Sequence, residues 1–427
     1  MTGMPSWLYI VIPFVLLTLG FPIYLLLLIT GFVALYFAQG VQPSVIQTTM
    51  FGSLDSFPII AIPFFVLAGE IMGRGGIAKR IIAWVLALVG GIRGSLAITT
   101  IATSEIFGAM SGSALGTVAA VGRLMLPALR EGGYGESLST SLITASGSIA
   151  VIIPPSIPLI IYGVVAQQAV TVLFLAGILP ALLIGAIDAA YVLGYARYKN
   201  VPITAGVDWR TTWKATLDAS WALGTLVVLF GGIYGGIFTP TEAAGVAVVY
   251  ALVVSKFVYR DITWKQLWNI IAVSAEINGQ ILVILTTASV FSWFLTTSGI
   301  PQQLVTAVQS YHLGAVGTLL LFNVIFLVAG SFLEPAPAIL IMTPLFLPVV
   351  EAVGVNPIHF GIIIAVNLSI GLYMPPFGIS LFGSHSLFGV SLSLLYRGVI
   401  PFLIINFIGL LIITFVPAIS LTLPHLH

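Results

Sequence analysis

The chain has 427 residues, of which 59% are hydrophobic and 6% are charged, and its mean hydropathy is +1.16. A soluble domain carries roughly 25% charged residues because its surface faces water, so this composition excludes a soluble protein and indicates a surface that faces lipid. The net charge of +1 provides no basic stripe for nucleic acid, and the absence of cysteine excludes thiol catalysis, disulfides and cysteine-based metal sites.

Long apolar runs predict a series of membrane helices, because a bilayer core of about 30 Å takes about 20 helical residues. These runs lie near 6–19, 21–39, 56–73, 170–196, 218–235, 239–258, 267–298 and 399–420. The first two are joined so tightly that they predict a helical hairpin. Since apolar runs continue to the C-terminus, the chain does not resemble a cleavable signal peptide followed by a soluble domain.

The positions of lysine and arginine predict the orientation of the spans. Basic residues cluster at Arg74, Lys79, Arg80, Arg93, Arg123, Arg130, Arg197, Lys199, Arg210, Lys214, Lys256, Arg260 and Lys265, with Arg397 alone near the end. Cytoplasmic loops carry an excess of such residues, so we expect these positions inside and both termini outside. The pattern of residues 77–90 predicts an amphipathic helix along the cytoplasmic surface.

The stretch 94–130 leaves the cytoplasmic side and returns to it, because Arg93 and Arg130 both belong there. Its two legs meet at Ser111-Gly112-Ser113. Two full spans are one interpretation. A turn made only of serine and glycine favours the other interpretation, a re-entrant hairpin that ends near mid-membrane.

An internal repeat organises the chain. Pro154-Pro155 recurs as Pro375-Pro376, a shift of 221 residues that also carries Pro127 to Pro348, Gly133 to Gly354, Ser148 to Ser369 and Ile149 to Ile370. We therefore expect an all-α polytopic protein with two repeats, 1–215 and 216–427. The first contains hairpin 94–130 and broken helix 134–168, and the second contains hairpin 313–350, with its tip near 330–337, and broken helix 357–389. The surface segment before the second hairpin, 300–312, lacks lysine and arginine, which predicts that the repeats are inverted, as in many secondary transporters.

The broken helices predict a cation site. Proline removes a donor and disturbs the helical ladder, so carbonyl groups before each Pro-Pro pair lose their partners. Such oxygens, with the hydroxyls of Ser111 and Ser113 at the facing tip, would form an oxygen cage suited to Na⁺, while the ends of the half-helices would favour an anionic substrate. The alternative is a pair of proline kinks whose hydroxyls bond back to their own helices.

Acidic residues in the spans are a second group of candidates, because an ionisable group at membrane depth is expensive. Glu105 precedes the first tip, Glu334 lies in the second, and Asp188, Glu242 and Glu276 fall in or near other spans. Glu334 beside a proline has two interpretations, a helix cap or a group that couples to substrate or ion. The predicted spans place no basic residue at mid-membrane, so we expect amides, hydroxyls and helix ends to hold an anion.

Four stretches resemble the large permease subunit of the tripartite ATP-independent periplasmic (TRAP) transporters, the DctM/SiaM family. They are GGIYGGIFTPTEAA at 231–244, MSGSALGTVAAVG at 110–122, VIIPPSIPLIIYG at 151–163 and LEPAPAILIMTPLFLPV at 333–349. The similarity runs in order over essentially the whole chain.

The resemblance implies an elevator-type, Na⁺-coupled importer of the bacterial inner membrane with no enzymatic activity and no cofactor beyond the coupling ion. It implies a small four-helix membrane subunit, a periplasmic binding protein, and an organic anion such as a C4-dicarboxylate, a 2-oxo acid or a sialic acid. By motif, the implied first sodium site comprises Ser111, Ser113, Ala150, Ile152 and Pro155, and the second comprises Gly330, Leu333, Gly371 and Met374. The substrate-cavity candidates are Gly112, Ser148, Ser156, Glu334, Ser369, Pro375 and Pro376. The family often has glycine where this chain has Ala150, which makes the fit tighter there.

Three other functions remain open from the sequence. A stand-alone ion-coupled carboxylate transporter would need no binding protein. A channel also uses broken helices. An intramembrane enzyme would need a paired nucleophile and base, or paired acids, which we do not find in the sequence.

Overall fold

The computed structural model describes residues 8–203, 206 and 208–426, which form α-helices, short 3₁₀ and π turns, and no strand. The first half contains α1 (Leu8–Thr18), α2 (Ile23–Val33), α3 (Pro43–Gly52), α4 (Ala61–Arg74), α5 (Ile77–Val89), α6 (Ser95–Ser111), α7 (Ala114–Glu131), α8 (Glu136–Ile149), α9 (Ile157–Val165) and α10 (Val170–Tyr198). The second half contains α11 (Trp209–Tyr234), α12 (Pro240–Val253), α13 (Trp264–Thr297), α14 (Ile300–Ser310), α15 (Gly314–Phe332), α16 (Pro335–Ala352), α17 (Pro357–Gly371), α18 (Ile379–Phe388), α19 (Leu392–Phe415) and α20 (Ala418–Leu426).

Membrane-spanning helices dominate this architecture, as the composition predicts. Nine segments of the described residues are long and apolar enough to cross a bilayer, judged by length and composition. Seven predicted spans agree to within a few residues at most ends with helices of the structure: α1, α2, α4, α10, α11, α12 and α13. Residues 6 and 7 of the first predicted span lie outside the described part of the chain. The chain is therefore a multi-pass, all-α membrane protein.

Another difference from the sequence prediction lies near the C-terminus. The last span, expected at 399–420, is instead α19, which begins at Leu392 and ends at Phe415. The start is earlier because Ser391 caps the helix, accepting a hydrogen bond from the amide of Leu394 at 3.3 Å. The end is earlier because Pro417 follows, and a new short helix, α20, begins directly after it.

The two hairpins and two broken helices follow the 221-residue shift at their tips and at the starts of the broken helices. The shift carries the end of α6 to the end of α15, the start of α7 to the start of α16, and the start of α8 to the start of α17. Gly133 and Gly354, which end the hairpins, both have positive φ, at 84° and 77°. Pro154-Pro155 and Pro375-Pro376 are both cis. The sequence repeat is therefore a structural repeat.

Each hairpin tip ends against the break of a helix in its own half. In the first half a side chain at Gly108 would collide with Ala150, next to the break between α8 and α9. In the second half a Cβ on Gly330 would lie 3.1 Å from the Cα of Leu368 and 3.2 Å from that of Gly371, at the end of α17. Each tip is therefore enclosed by other helices of the protein, as the re-entrant interpretation requires.

The remaining helices form a scaffold around these units. Helix α12 packs on α4, α13 packs on α2 and α4, and α11 packs on α5. The two predicted surface segments, 77–90 and 300–312, correspond to the short helices α5 and α14. Each of these helices directly precedes a hairpin. The expected boundary between the repeats, at residue 215, falls within α11, so this helix continues across it.

We predict that Gly371→Ala destabilises the protein, because a Cβ there would lie 2.6 Å from the Cα of Gly330 and neither backbone can yield easily. Overpacking of this kind costs about 1–3 kcal/mol. Gly279→Ala in α13 is the matched control, since a Cβ at Gly279 meets nothing within 4 Å. Thermal unfolding of the purified variants would measure the difference, and equal midpoints for the two would contradict the close contact.

Candidate functional site

The first tip is a sharp turn whose hydroxyl groups are bonded to one another. Ser111 is buried at the end of α6, Gly112 adopts the left-handed conformation at φ 60°, and Ser113 caps α7 by accepting a hydrogen bond from the amide of Gly116 at 3.2 Å. The hydroxyl of Thr117 donates to the carbonyl of Ser113 at 2.7 Å and lies 3.2 Å from the Ser111 hydroxyl. The tip therefore concentrates oxygen atoms within one turn of α7.

The first break faces this tip. After α8 the chain makes one 3₁₀ turn over Ala150–Ile152 and then extends to Ser156, which caps α9. A Cβ on Gly112 would lie 3.3 Å from the carbonyl oxygen of Pro155, so this oxygen reaches the tip. The carbonyl oxygen of Ile152 instead lies against Gly177 of α10, at 3.0 Å from a Cβ built there. The structure thus brings four of the five predicted residues of this site to the tip.

The second tip and break have the same arrangement with different chemistry. Leu333 and Glu334 form the turn between α15 and α16, and Gly330 packs on Gly371. The carbonyl of Gly371 accepts a backbone hydrogen bond from Met374, and the carbonyl of Met374 accepts one from Gly378, both at 3.0 Å. This tip offers no hydroxyl equivalent to Ser111, because Phe332 occupies that position. A cation here would depend on backbone oxygens.

A cavity of about 220 Å³ lies where both tips, both breaks and the scaffold meet. The tips contribute Ser111, Gly112, Ser113, Glu334 and Pro335, the breaks contribute Val151, Ile157, Pro158, Leu372 and Ile379, and the scaffold contributes Val66, Gly69, Glu70, Gly73, Arg74, Ile277 and Ile281. The cavity is therefore bounded by hairpins on one side and by α4 and α13 on the other.

Glu334 projects into this cavity. It occupies the N-cap position of α16, as Ser113 does for α7, but its side chain makes no capping hydrogen bond. Of the two interpretations of Glu334 from the sequence, a role facing the cavity agrees with this geometry better than capping does. Glu242, by contrast, forms a capping box with Thr239 at the start of α12.

Three of the substrate-cavity candidates use their polar groups elsewhere. The hydroxyls of Ser148 and Ser369 donate back to carbonyls of their own helices at 2.7 Å and are buried away from the cavity. The carbonyl of Pro376 accepts a hydrogen bond from the hydroxyl of Tyr396 at 2.7 Å. Ser156 caps α9 and is buried, and neither it nor Pro375 lines the cavity.

Two residues of the site, Thr117 and Arg123, were not expected from the sequence. Thr117 lies four residues after Ser113, a spacing that places both on one helical face, so the sequence did carry a signal for it. Arg123 of α7 lines the cavity and forms no ion pair with any described residue. The expectation that amides, hydroxyls and helix ends mainly hold an anion stays a prediction. The structure adds Arg123 to the lining, because α7 turns this residue toward the cavity although it lies three turns from the tip.

Two hairpins whose tips meet two broken helices around one cavity are the architecture of a secondary transporter. A family model described as the DctM component of the tripartite ATP-independent periplasmic transporters matches residues 10–419. The chain is 38% identical over 376 residues to the C4-dicarboxylate TRAP transporter large permease protein DctM of Pseudomonas aeruginosa, covering 88% of each protein. It is 37% identical over 414 residues to the ectoine TRAP transporter large permease protein TeaC of Halomonas elongata, covering 96% of this chain and 97% of that one.

The fold is also that of a solved transporter, Alcanivorax borkumensis YdaH. The two structures align with a TM-score of 0.62 at 15% sequence identity, over 87% of each chain. On the sequence matches, this chain belongs to the DctM family of TRAP transporter large permeases. It is therefore a transporter subunit and not an enzyme.

We predict that the equivalent tip residues Ser113 and Glu334 differ in what they contribute to stability. Ser113→Ala removes a capping acceptor and should cost about 0.5–2 kcal/mol, whereas Glu334→Ala removes no capping bond and should cost less. Thermal unfolding of both purified variants would test this, and a larger loss for Glu334→Ala would show that its carboxylate does cap α16.

Proposed function

We propose that this subunit imports a small organic anion together with Na⁺, receives the anion from a periplasmic binding protein, and carries it by an elevator movement of the hairpin domain. The observation that supports the proposal best is the cavity between the two tips and the scaffold. The oxygen-rich turns of the tips and the N-termini of two helices surround this cavity. Its lining also contains an arginine that forms no ion pair with any described residue.

In this proposal Arg123 and the backbone amides of the two tips bind the anion. The N-terminal ends of α7 and α16 both border the cavity, and helix N-termini favour negative charge. The other arginine in the lining, Arg74, is paired with Glu70 at 3.1 Å, which leaves Arg123 as the uncompensated cation among the described lining residues. The cavity is smaller than the roughly 300–1,000 Å³ of sites for drug-sized ligands, which favours a small solute.

The two tip–break contacts are where we place the sodium ions. At the first, the hydroxyls of Ser111, Ser113 and Thr117 and the carbonyls of Ala150 and Pro155 are neutral oxygen donors. At the second, the carbonyls near Gly330, Leu333, Gly371 and Met374 take that role. Binding of Na⁺ at these contacts would fix each tip against its break, so the ion and the substrate would favour the same closed arrangement.

Small residues on α4 favour a moving interface. Gly69 and Gly73 face the first hairpin, and a Cβ on Gly69 would lie 2.8 Å from the Cα of Ser111. A smooth scaffold surface lets the hairpin unit slide while the outer scaffold stays fixed. We further propose that the small four-helix membrane subunit braces that scaffold, that the complex lies in the bacterial inner membrane, and that both termini face the periplasm.

Uptake of labelled organic acids into proteoliposomes tests the coupling. The vesicles would contain this chain and its small membrane partner, with or without a Na⁺ gradient and the candidate binding protein. We expect uptake of one acid that needs both. Ser111→Ala should reduce the dependence on Na⁺, whereas the exposed Ser310→Ala should behave as wild type.

Other outcomes of that assay would contradict specific parts of the proposal. Na⁺-dependent uptake without a binding protein would remove the tripartite requirement and leave a stand-alone carrier. Flux that neither saturates nor responds to the gradient would indicate a channel.

We predict that Arg123→Gln raises the KM for the transported anion by about 10–100-fold, because a charge-assisted hydrogen bond contributes about 1.5–3 kcal/mol. Arg197→Gln, which changes an exposed arginine at the end of α10, is the control and should leave KM unchanged. Concentration dependence of uptake measures both variants. An unaltered KM for Arg123→Gln would exclude direct contact with the substrate.

A further inference from the structure

Two carboxyl groups lie together behind the first hairpin, outside the cavity lining described above. Glu105 is on α6, and its carboxylate rests on Gly185 of α10, where a built Cβ would lie 3.0 Å from Oε2. Asp188 follows one turn later on α10 and is 1% exposed. Residues three apart lie on one face of a helix, about 5–6 Å from one another, so the two carboxyl groups face the same small space between α6 and α10.

No described side chain neutralises this pair. Neither carboxylate forms an ion pair with a described residue. The Oε1 atom of Glu105 and the Oδ1 atom of Asp188 are both buried without a hydrogen-bond partner among the described residues. Two buried carboxylates at close range cannot both stay ionised without a bound cation, since their desolvation and mutual repulsion add.

A third polar group is directed at the same space. Asn406 of α19 faces Asp188 and donates a hydrogen bond to the hydroxyl of Tyr373 at 2.9 Å. Its side-chain oxygen is buried with no partner in the described part of the chain, and Asn406 itself is 0% exposed. A protonated Asp188 would supply a donor to this oxygen, for which the described residues supply none.

A proton fits this space better than a metal ion does. The carboxylate of Glu105 is packed directly on the backbone of Gly185, which leaves no room for a coordination shell on that side. A proton requires one acceptor and one neighbouring oxygen, and both are present.

We propose that Glu105 and Asp188 form a proton-binding site and that its protonation is coupled to transport. The coupling part rests on the proposed function. Asn406, which faces Asp188, donates a hydrogen bond to the hydroxyl of Tyr373, which lies in the second break directly before Met374. Glu105 lies two turns before the first tip on α6. Gain or loss of one proton therefore acts on helices that build both tip–break contacts.

The other titratable groups near these helices are engaged elsewhere. Tyr373 is the one that faces Asp188. His359 bonds to the carbonyl of Thr414 at 3.2 Å and Tyr162 bonds to that of Pro357 at 2.5 Å. Tyr191 lies one turn after Asp188 on α10, where its ring packs edge-on against Phe402 at 5.2 Å. The remaining groups on elements packed against α6 and α10 pair with one another, line the cavity or lie toward helix ends: Glu70, Arg74, Lys79, Arg80, Arg123, Arg130, Glu131, Glu136, Tyr195, Arg197, Tyr198, Arg210, Lys214, Asp218, Tyr234, Tyr396, Arg397 and His425.

Infrared spectroscopy of the purified complex tests the proton directly and does not depend on transport. At neutral pH the wild-type protein should show a carboxylic-acid carbonyl band that shifts in D₂O. The band should be smaller in Glu105→Gln and in Asp188→Asn and should be lost from the double variant relative to wild type. The amide side chains mimic the protonated form, so these variants should fold, and Glu131→Gln on the surface of α7 should keep the band. Identical bands in wild type and double variant would overturn the proton site.

The pH profile of uptake tests the coupling. The uptake rate of the wild type and of Glu131→Gln should change by up to about tenfold per pH unit on one side of the profile. A single titrating group gives this slope, because its ionised or protonated fraction changes by that factor per pH unit. Glu105→Gln and Asp188→Asn should change by less than about twofold over the same range. Profiles in these variants that match wild type would show that the proton is permanent and structural, which overturns the coupling. If wild-type uptake itself fails, the proposed function fails while the infrared result still decides the proton site.

Discussion

The structure depends on how two interrupted helices are tolerated at membrane depth. Hydrocarbon offers no hydrogen bonds, so backbone groups released by a break must find partners within the protein. Here the chain between α8 and α9, and that between α17 and α18, is covered by the tip of a hairpin. Gly108 against Ala150 and Gly330 against Gly371 allow the approach, because a larger side chain at either glycine would separate the backbones.

The two tips share one backbone arrangement but carry different side chains. The first tip carries Ser111 and Ser113 with Thr117 bonded between them, whereas the second carries Phe332 and Glu334 at the equivalent positions. Ser113 uses its side chain to cap α7, and Glu334 leaves its carboxylate free in the cavity. A near-symmetric backbone thus surrounds a lining whose side chains differ between the two halves.

Charged residues line the cavity and lie directly behind the first hairpin in the described part of the chain. Arg123 and Glu334 face the cavity, Glu70 and Arg74 neutralise each other at its scaffold wall, and Glu105 and Asp188 lie buried behind the first hairpin. Uncompensated charge at membrane depth is expensive. Glu105 and Asp188 are the pair among these that is both buried and without an ion-pair partner among the described residues.

The sequence by itself determined the membrane class, most spans, both hairpins and the 221-residue repeat, because lipid selects long apolar runs and because glycine and proline mark the turns and breaks directly. It also located the first tip, since Ser111, Gly112 and Ser113 are contiguous. It did not determine which side chains share a cavity, since that depends on how helices distant in the chain rotate against one another. Only the tertiary structure brought Arg123 to the cavity, turned Ser148 and Ser369 back to their own helices, and set Glu105 beside Asp188 across α6 and α10.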